Sequence, residues 1–577
     1  MANSRTVFDR LAGLETEYAL RFRADDPTAE RPSNYSIYSA LVSHVAERLP
    51  TVPARNVKQG VFLANGGHLC YEAVRSGVGA GLIEGATPEC RGPLQLLLYQ
   101  RALDRIVAEA AAEVTNSRRF RGRVDLVKND RDSQGNVYGA QENYEVVIAS
   151  GWRLTAWRAG LLILLPVCAF TWLLGLVLLA AILFYLLAAA FAYLPLTLLF
   201  RDRRRLAVAL FGRDLVEGRE TDSPFPPWLE LTILTAMRIF SAPLALGMWL
   251  LVWLLAFRDI RRRLGAFFAS RPVISGSGLL DAEGRFQLSD KAPALNCVVG
   301  FNRFLGDRPL LSVGHFFKTA CFDAWFVPRE YFRLFAERQR LQVCLGDSNM
   351  ADTAEYLRIG TTLLVLDALE AGALEHLPRA RNAIRQLHTL SADAELRAEV
   401  TLSDGRRYTA LAIQELYAAA CRRFLEAEDD APSAAWELLA RWEQTLKALA
   451  GDSSPLVGVL DWVTKRFLLE ETAAEAPWEV RKKIDLRYHE LSKEGYYRRL
   501  EQTGVADPLI YGPARRMAIR TPPPDSPATA RGRYIREFGQ GAEPLSANWN
   551  RVCMGRGFRT RVIPLARYVR ARGKVEA

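Results

Sequence analysis

Charge is missing from one long stretch of this sequence. Residues 159–200 contain no Asp, Glu, Lys, Arg or His, whereas one membrane-spanning helix needs roughly 20 apolar residues. A simple soluble enzyme is therefore excluded. Cysteine and histidine are scarce, with 8 and 6 copies in 577 residues, and no two cysteines form a C-x-x-C pair. Neither a zinc site nor a disulfide framework is expected, and a reducing cytosol fits the scattered thiols. The N-terminus, MANSRTVFDRLAGLETEYAL, has no apolar core of the kind a signal peptide carries, so export of this portion is not expected. Internal repeats and nucleic-acid motifs are also lacking.

What is present is strongly uneven. Lys and Arg outnumber Asp and Glu by 75 to 64, for a net charge of +11, and arginines gather beside the apolar runs at 201–205 and 258–263. That placement favours the cytoplasmic face of a membrane over nucleic acid. A further basic stretch at 551–572 reads as a solvated or membrane-facing surface. Length and composition divide the chain into four regions: 1–150, an apolar 151–263 with basic flanks, 264–480, and a basic 481–577.

In the first region Leu14, Tyr18, Leu20 and Phe22 alternate with Glu15, Glu17, Ala19 and Arg21, the period of a half-buried strand, so Glu15 and Glu17 share one face. Residues 61–63 and 68–71 flank Asn65-Gly66-Gly67, a hairpin signal because Asn and Gly tolerate positive φ. Glu72 then ends the second strand. Residues 94–114 read as a helix, and a second hairpin is expected with its turn at 132–136 and its returning strand over 138–144.

Parity constrains the apolar region. If both flanks belong to one folded domain, the chain must cross a bilayer an even number of times. The uncharged run fits a helical hairpin turning near 175–181, which keeps Arg153, Arg158 and 201–205 on the same side. Residues 239–257 then form a re-entrant or interfacial helix; alternatively, one long first helix pairs with this segment.

Two carboxylates on one strand face repel unless compensated, and magnesium with oxygen ligands is the usual compensation in phosphate chemistry. Glu72, Glu84, Glu89 and Glu142 add to Glu15 and Glu17 as a possible magnesium and ATP cradle. At this point the wording of the chain resembles the Pup ligase and depupylase family, the proteasome accessory factor A group of glutamine-synthetase-like carboxylate-amine ligases. The resemblance runs in order through Gly13-Leu14-Glu15-Thr16-Glu17-Tyr18, Val61-Phe62-Leu63-Ala64-Asn65-Gly66, Thr87-Pro88-Glu89-Cys90, Lys128-Asn129-Asp130-Arg131-Asp132-Ser133 and Tyr138-Gly139-Ala140-Gln141-Glu142-Asn143-Tyr144. It resumes at Ser275-Gly276-Ser277-Gly278, Phe286-Gln287-Leu288-Ser289, Leu345-Gly346-Asp347-Ser348-Asn349-Met350, Gly360-Thr361-Thr362, Leu460-Asp461-Trp462, Asp485-Leu486-Arg487-Tyr488, Arg531-Gly532 and Trp549. Only about 151–263 falls outside it.

The resemblance implies an α+β fold: a curved antiparallel sheet cradling ATP and Mg2+, helices covering it, a small C-terminal domain, and here an inserted transmembrane helical hairpin. It implies an ATP-dependent ligase that joins the C-terminal glutamate of a Pup-like small protein to a lysine or other amine through an acyl phosphate. Depupylation or deamidation, and a catalytically degenerate membrane scaffold, are the alternatives. The short interval before the 61–71 hairpin fits the ligase branch. Carried over by position, Glu15, Glu17 and Glu84 would hold magnesium, Thr87, Trp549, Arg531 and His68 would contact ATP, and Glu72 would be the catalytic base. Arg531 has a surface salt bridge as its competing role. The expected partners are a Pup-like protein or glutamate-ended peptide, a lysine-bearing acceptor and a lipid bilayer, with no nucleic acid. The expected location is the inner or plasma membrane with the catalytic domain cytoplasmic.

Several positions depart from the family pattern. Glu72 replaces an Asp, His68 an ATP-contacting Arg, and Cys70 a magnesium-binding Tyr; a neutral imidazole offers phosphate less fixed charge, and a thiol suits hard magnesium poorly. Gln141 and Gln342 stand where the family has histidines, and the segment 73–82 is lengthened, with Ser76, Gly77, Gly79 and Gly81 suited to a mobile loop. A remodelled acceptor site and a degenerate site both fit these changes. His44, His315, His376, His388 and His489 read as surface or satisfied core residues.

Overall fold

The computed structural model describes residues 6–565 except 27, 29–30, 56, 73–80, 132–135, 213–215, 217–224, 302–305 and 507. The lengthened loop and the turn expected at 132–136 therefore fall largely outside the described residues, as does the end of the basic stretch at 551–572.

An 11-stranded sheet organises the chain. Its strands are β1 (Leu11–Ala24), β2 (Thr51–Pro53), β3 (Gly60–Leu63), β4 (His68–Glu72), β5 (Leu82–Ala86), β6 (Cys90–Arg91), β7 (Gly122–Val127), β8 (Gln141–Val147), β11 (Cys297–Gly300), β12 (Pro309–Ser312) and β13 (Arg338–Val343). The order is β11-β12-β13-β8-β1-β5-β4-β3-β2, with β6 and β7 also pairing with β1. Two short ribbons, β9 (Leu279–Leu280) with β10 (Phe286–Gln287) and β14 (Glu399–Thr401) with β15 (Arg407–Thr409), lie apart. The architecture is α+β, as expected. The main sheet is not wholly antiparallel, however, because β11 and β12 run parallel.

The Asn65-Gly66-Gly67 turn forms as read. Gly66 has φ +86°, and a Cβ there would press on Ala528, so glycine is required twice over. The second expected turn is closed by an antiparallel bridge between Arg131 and Val137, with the Tyr138 N–H donating to Asp130 O at 2.9 Å, but β7 and β8 do not pair with each other. β7 pairs with residues 19–24 of β1 and β8 with residues 12–15. A 14-residue strand has room for both partners, so each pairs with β1 rather than with the other.

One face of the sheet is covered by helices, including α1 (Asn34–Arg48), capped by Ser33 Oγ on the Ser36 N–H, and α2 (Pro93–Asn116), which begins at a proline. Leu14, Tyr18, Leu69, Ile83 and Tyr144 meet them in the main core. A second, smaller core joins Val52, Phe62 and Ala64 to Ala530, Ile535, Leu545 and Val552. It belongs to a C-terminal unit of one helix, Pro527–Phe538, and the strands β16 (Leu545–Ala547), β17 (Arg551–Met554) and β18 (Arg561–Pro564).

The apolar insertion is built differently from the expected hairpin. The uncharged run does not turn near 175–181; it lies within one helix, α3 (Trp152–Leu199). Gly175 alone, costing about 1 kcal/mol relative to Ala, cannot interrupt a run of leucine and alanine. At about 1.5 Å per residue, α3 is roughly 72 Å long. After α4 (Arg203–Phe211), the chain returns along α3 as α5 (Pro227–Leu254). The long-first-helix alternative is thus the one that forms, and α5 continues through Arg238 rather than stopping there. Arg153 and the arginines at 201–205 consequently sit at opposite ends of α3, not together.

Where α3 and α5 cross, each contributes a glycine to the other's leucine: a Cβ on Gly160 would overlap Leu251, and one on Gly247 would overlap Leu164. Small residues that admit a close backbone approach are characteristic of helix pairs in lipid. Both helices are long and apolar enough to cross a membrane, with mean hydropathies of 2.7 and 1.6 over their most apolar stretches. Phe184, Phe191, Leu194 and Leu198 are exposed along the far half of α3. The near half instead docks on the body, where Trp157 Nε1 donates to Leu334 O at 2.8 Å, Tyr331 Oη donates to Leu161 O at 2.7 Å and Trp172 Nε1 donates to Ala320 O at 3.0 Å.

Candidate functional site

Strand register assembles the site. Across the sheet, Gly60 faces Cys70, Cys70 faces Glu84, and Glu84 faces Glu17. The neighbouring row runs Phe62, His68, Ala86, Glu15, Gln141. Because side chains alternate along a strand, both rows project from the same face. Glu17, Glu72 and Glu84 each offer a carboxylate oxygen, all within 4.8 Å of one another. Three hard oxygen donors at this spacing suit a magnesium-like ion.

Glu15 stands one row away from that trio. Its carboxylate accepts from Asn143 Nδ2 and Gln342 Nε2, both at 3.2 Å, and lies 3.5 Å from Arg340. Gln342 also donates to Gln141. Of the two glutamines singled out as departures, Gln342 thus holds Glu15 directly, and Gln141 is bonded to Gln342. Glu72, expected as the base, lies with Glu17 and Glu84, and at 27% side-chain exposure it is the most accessible of the three.

Burial governs the protonation of these groups. Glu17, buried and facing Glu72, is pushed up to about 7, although the Gly139 N–H donates to its Oε2 at 2.8 Å and works against that rise. Glu84 is raised well above the usual carboxylate range, chiefly by burial and also by Glu72, with Lys58 opposing. Burial also raises the Cys70 thiol, which lies 3.7 Å from Glu84 Oε1, so it remains protonated. His68 is lowered to about 3 by burial and by Arg531 and Lys58. It is a neutral imidazole, and its buried Nε2 has no hydrogen-bond partner in the described structure.

Aromatic groups flank the carboxylates. His68 packs on Phe62 with centroids 4.6 Å apart, and half-buried Trp549 meets Phe62 at 5.1 Å and His68 at 6.0 Å. Arg531 is no surface residue: it is fully buried, stacks over Trp549 and Phe62, donates to Gly66 O at 2.8 Å, and is ion-paired with Glu89. It fastens the C-terminal unit to the β3–β4 turn, and Glu89 is spent on it rather than on the cradle. The Thr87 hydroxyl accepts from Leu14 N–H at 3.0 Å, securing β1 beside the site.

Glu142 does not belong to the cradle. With Gln141 and Asn143 facing Glu15, the pleat turns Glu142 to the opposite face, where it is fully buried. There it takes a bidentate pair from Arg271 at 2.7 and 2.8 Å and a hydrogen bond from Tyr144 Oη at 2.6 Å. The dispersed sequence landmarks likewise converge on support. Asp347 accepts from Ser277 N, Ser289 Oγ and Lys291 N at 2.8 to 3.1 Å, and Asp461 accepts from Met350 N, Ala351 N and Tyr488 Oη at 2.9 to 3.0 Å.

Two contributors escaped the sequence reading. Gly139, at φ +107°, leaves no room for a Cβ beside Asp130, and this conformation presents its N–H to Glu17. Lys58, in the connection between β2 and β3, donates to Glu72 Oε2 at 2.6 Å and to Glu84. Nothing in the pattern around Lys58 marks it, because a loop lysine is ordinarily a solvated one.

The chain is 35% identical over 308 residues to a depupylase of Acidothermus cellulolyticus, a match covering 51% of this chain and 58% of that protein. It is 26% identical over 553 residues to a Pup--protein ligase of Acidimicrobium ferrooxidans, covering 94% of this chain and 91% of the relative. The match to the depupylase thus spans little more than half of that relative's length. In fold, the chain resembles the ligase PafA in the crystal structure of its complex with prokaryotic ubiquitin-like protein Pup, with a TM-score of 0.64, 20% identity, and 97% and 89% coverage of the two chains. It also resembles the Pup ligase PafA in complex with ADP, with a TM-score of 0.59, 20% identity, and 94% and 92% coverage. The family model described as Pup-ligase protein matches residues 10–553, and the chain belongs to that family.

Proposed function

We propose that this chain is a membrane-anchored, ATP- and magnesium-dependent carboxylate-amine ligase that joins the C-terminal glutamate of a Pup-like protein to a lysine. The observation that carries the reading is the trio Glu17, Glu72 and Glu84 beside the Phe62, His68 and Trp549 surface. Glu17 and Glu84 would hold the ion, which supplies charge neutralisation for phosphoryl transfer when bound. Trp549 and His68 would take the adenine or ribose side of the nucleotide, His68 through its unpartnered Nε2. The donors on Glu15 favour a purely electrostatic role for it. After phosphoryl transfer from ATP to the glutamate carboxylate, Glu72, the most accessible carboxylate, would accept the proton of the attacking amine.

The anchor reading rests on α3 and α5, whose exposed leucines and phenylalanines would be costly in water. It puts the sheet at one membrane face, with the acceptor limited to proteins that reach that face. A depupylase or deamidase is the second reading, supported by the higher identity to a depupylase over about half the chain.

The test is to incubate the purified full-length protein in detergent with ATP, Mg2+, a glutamate-ended Pup peptide and a lysine acceptor. Conjugate and ADP formed by wild type but not by Glu72→Gln support the ligase. Isopeptide cleavage without conjugate moves the assignment to the hydrolase, and no turnover of either kind leaves the scaffold.

A further inference from the structure

The carboxylate trio already holds a cation of the chain's own. Lys58 Nζ lies 2.6 Å from Glu72 Oε2 and is also bonded to Glu84 Oε2. Three carboxylates this close cannot all remain ionised without compensation, and among the described residues three other nearby cations are committed elsewhere. Arg531 is paired with Glu89, Arg340 lies at Glu15, and Lys291 Nζ donates to Ala140 O at 2.7 Å. Cys70, a neutral thiol beside Glu84, adds no positive charge.

The backbone delivers Lys58 to this place. Gly60 starts β3 opposite Cys70, and a Cβ there would overlap the backbone of residues 69 and 70. The connection therefore hugs β4 and carries Lys58, two residues earlier, over the Cys70 and Glu84 row. The side chain is 46% exposed, so its stem is not locked in the core. It can withdraw without opening a cavity.

We propose that Lys58 is the resident counter-ion of the trio and competes with a divalent ion for the Glu84 carboxylate, so that Lys58 sets the affinity of the site for divalent cations. The inference rests on the reading of the trio as a metal site. An ammonium brings one charge and donates hydrogen bonds; a divalent ion brings two and requires the lone pairs that Lys58 now occupies. Binding the ion therefore means expelling Lys58 from Glu84, and the energy of that ion pair is subtracted from the metal affinity.

The experiment is a Mn2+ titration of the full-length protein in detergent, read by electron paramagnetic resonance, on wild type, Lys58→Met and Lys58→Arg. Loss of the competitor should tighten Mn2+ binding about tenfold in Lys58→Met, as expected for removing a partly exposed charge contact, and leave Lys58→Arg near wild type. In parallel, acetylation of Lys58 by an amine-reactive ester, read by mass spectrometry on wild type, should be slow without metal and accelerate several-fold when Mn2+ saturates the site. Equal or weaker Mn2+ binding by Lys58→Met, or labelling of Lys58 that ignores Mn2+, overturns the competition alone. Failure of both wild type and Lys58→Met to bind Mn2+ overturns the metal reading as well.

Discussion

The backbone N–H of Phe257 donates to the carbonyl of Ile148 at 2.8 Å. The apolar insertion therefore leaves and re-enters the body at a single point, beside the end of β8. Its two helices run out and back, so a crossing by both α3 and α5 would return the chain to the same side of a bilayer, as parity requires. The C-terminal end of α3 is then at the opposite end of that helix from the re-entry point.

This predicts opposite exposure for the two arginine clusters. In sealed vesicles, a cysteine replacing Arg203 should react with a membrane-impermeant maleimide on the side away from the sheet, and one replacing Arg262 only on the sheet side. Reaction of both from the same side would contradict the crossing by α3 and α5.

The pairing of α3 with α5 depends on Gly160 and Gly247. Gly160→Leu or Gly247→Leu should lower stability in detergent by about 1–3 kcal/mol, the usual cost of overpacking, with a decreased Tm. Replacing exposed Leu198 by Phe, as a control, should leave Tm unchanged. Equal Tm values for the glycine variants and wild type would remove these contacts from the account.

Glu17 links the site to pH. Its folded value is raised from 4.5 to about 7, so the native chain retains a proton that the unfolded chain releases above 4.5. The stabilisation from that proton is full below pH 4.5 and is lost as pH rises through about 7. The same proton opposes a divalent ion. Mn2+ affinity should therefore climb between pH 6 and 8, and Glu17→Gln should weaken binding and flatten that rise. A wild-type affinity independent of pH over this interval would show that Glu17 does not ligate.

On the opposite face, Glu142 and Arg271 form a fully buried pair. Arg271→Met leaves the Glu142 carboxylate without its bidentate partner, and a loss of about 3–5 kcal/mol is expected in chemical denaturation, as for other broken buried pairs. Replacing both residues by apolar ones of similar volume should recover much of that loss. A change below 1 kcal/mol for Arg271→Met would show that Tyr144, or Arg358 at 3.9 Å from Glu142, compensates.

Local pattern was enough for some of this. Strand alternation put Glu15 and Glu17 on one face, Asn65-Gly66-Gly67 required a tight turn, and the uncharged 159–200 run called for apolar helix, because each depends on neighbours in the chain; that this run is one continuous helix and not a hairpin was not legible there. Pairing is another matter. Which strand lies beside β1, and in what register, decided that Glu84 faces Glu17 while Glu142 turns away to Arg271; a one-residue change in register would exchange the two faces. Lys58 and Arg531 show the same limit. The loop lysine carries no mark in the sequence, and Arg531 reads there as an ATP contact or a surface salt bridge, until tertiary packing carries one into the carboxylates and buries the other against Glu89, since the energy of a charge depends on what surrounds it and not on its place in the sequence.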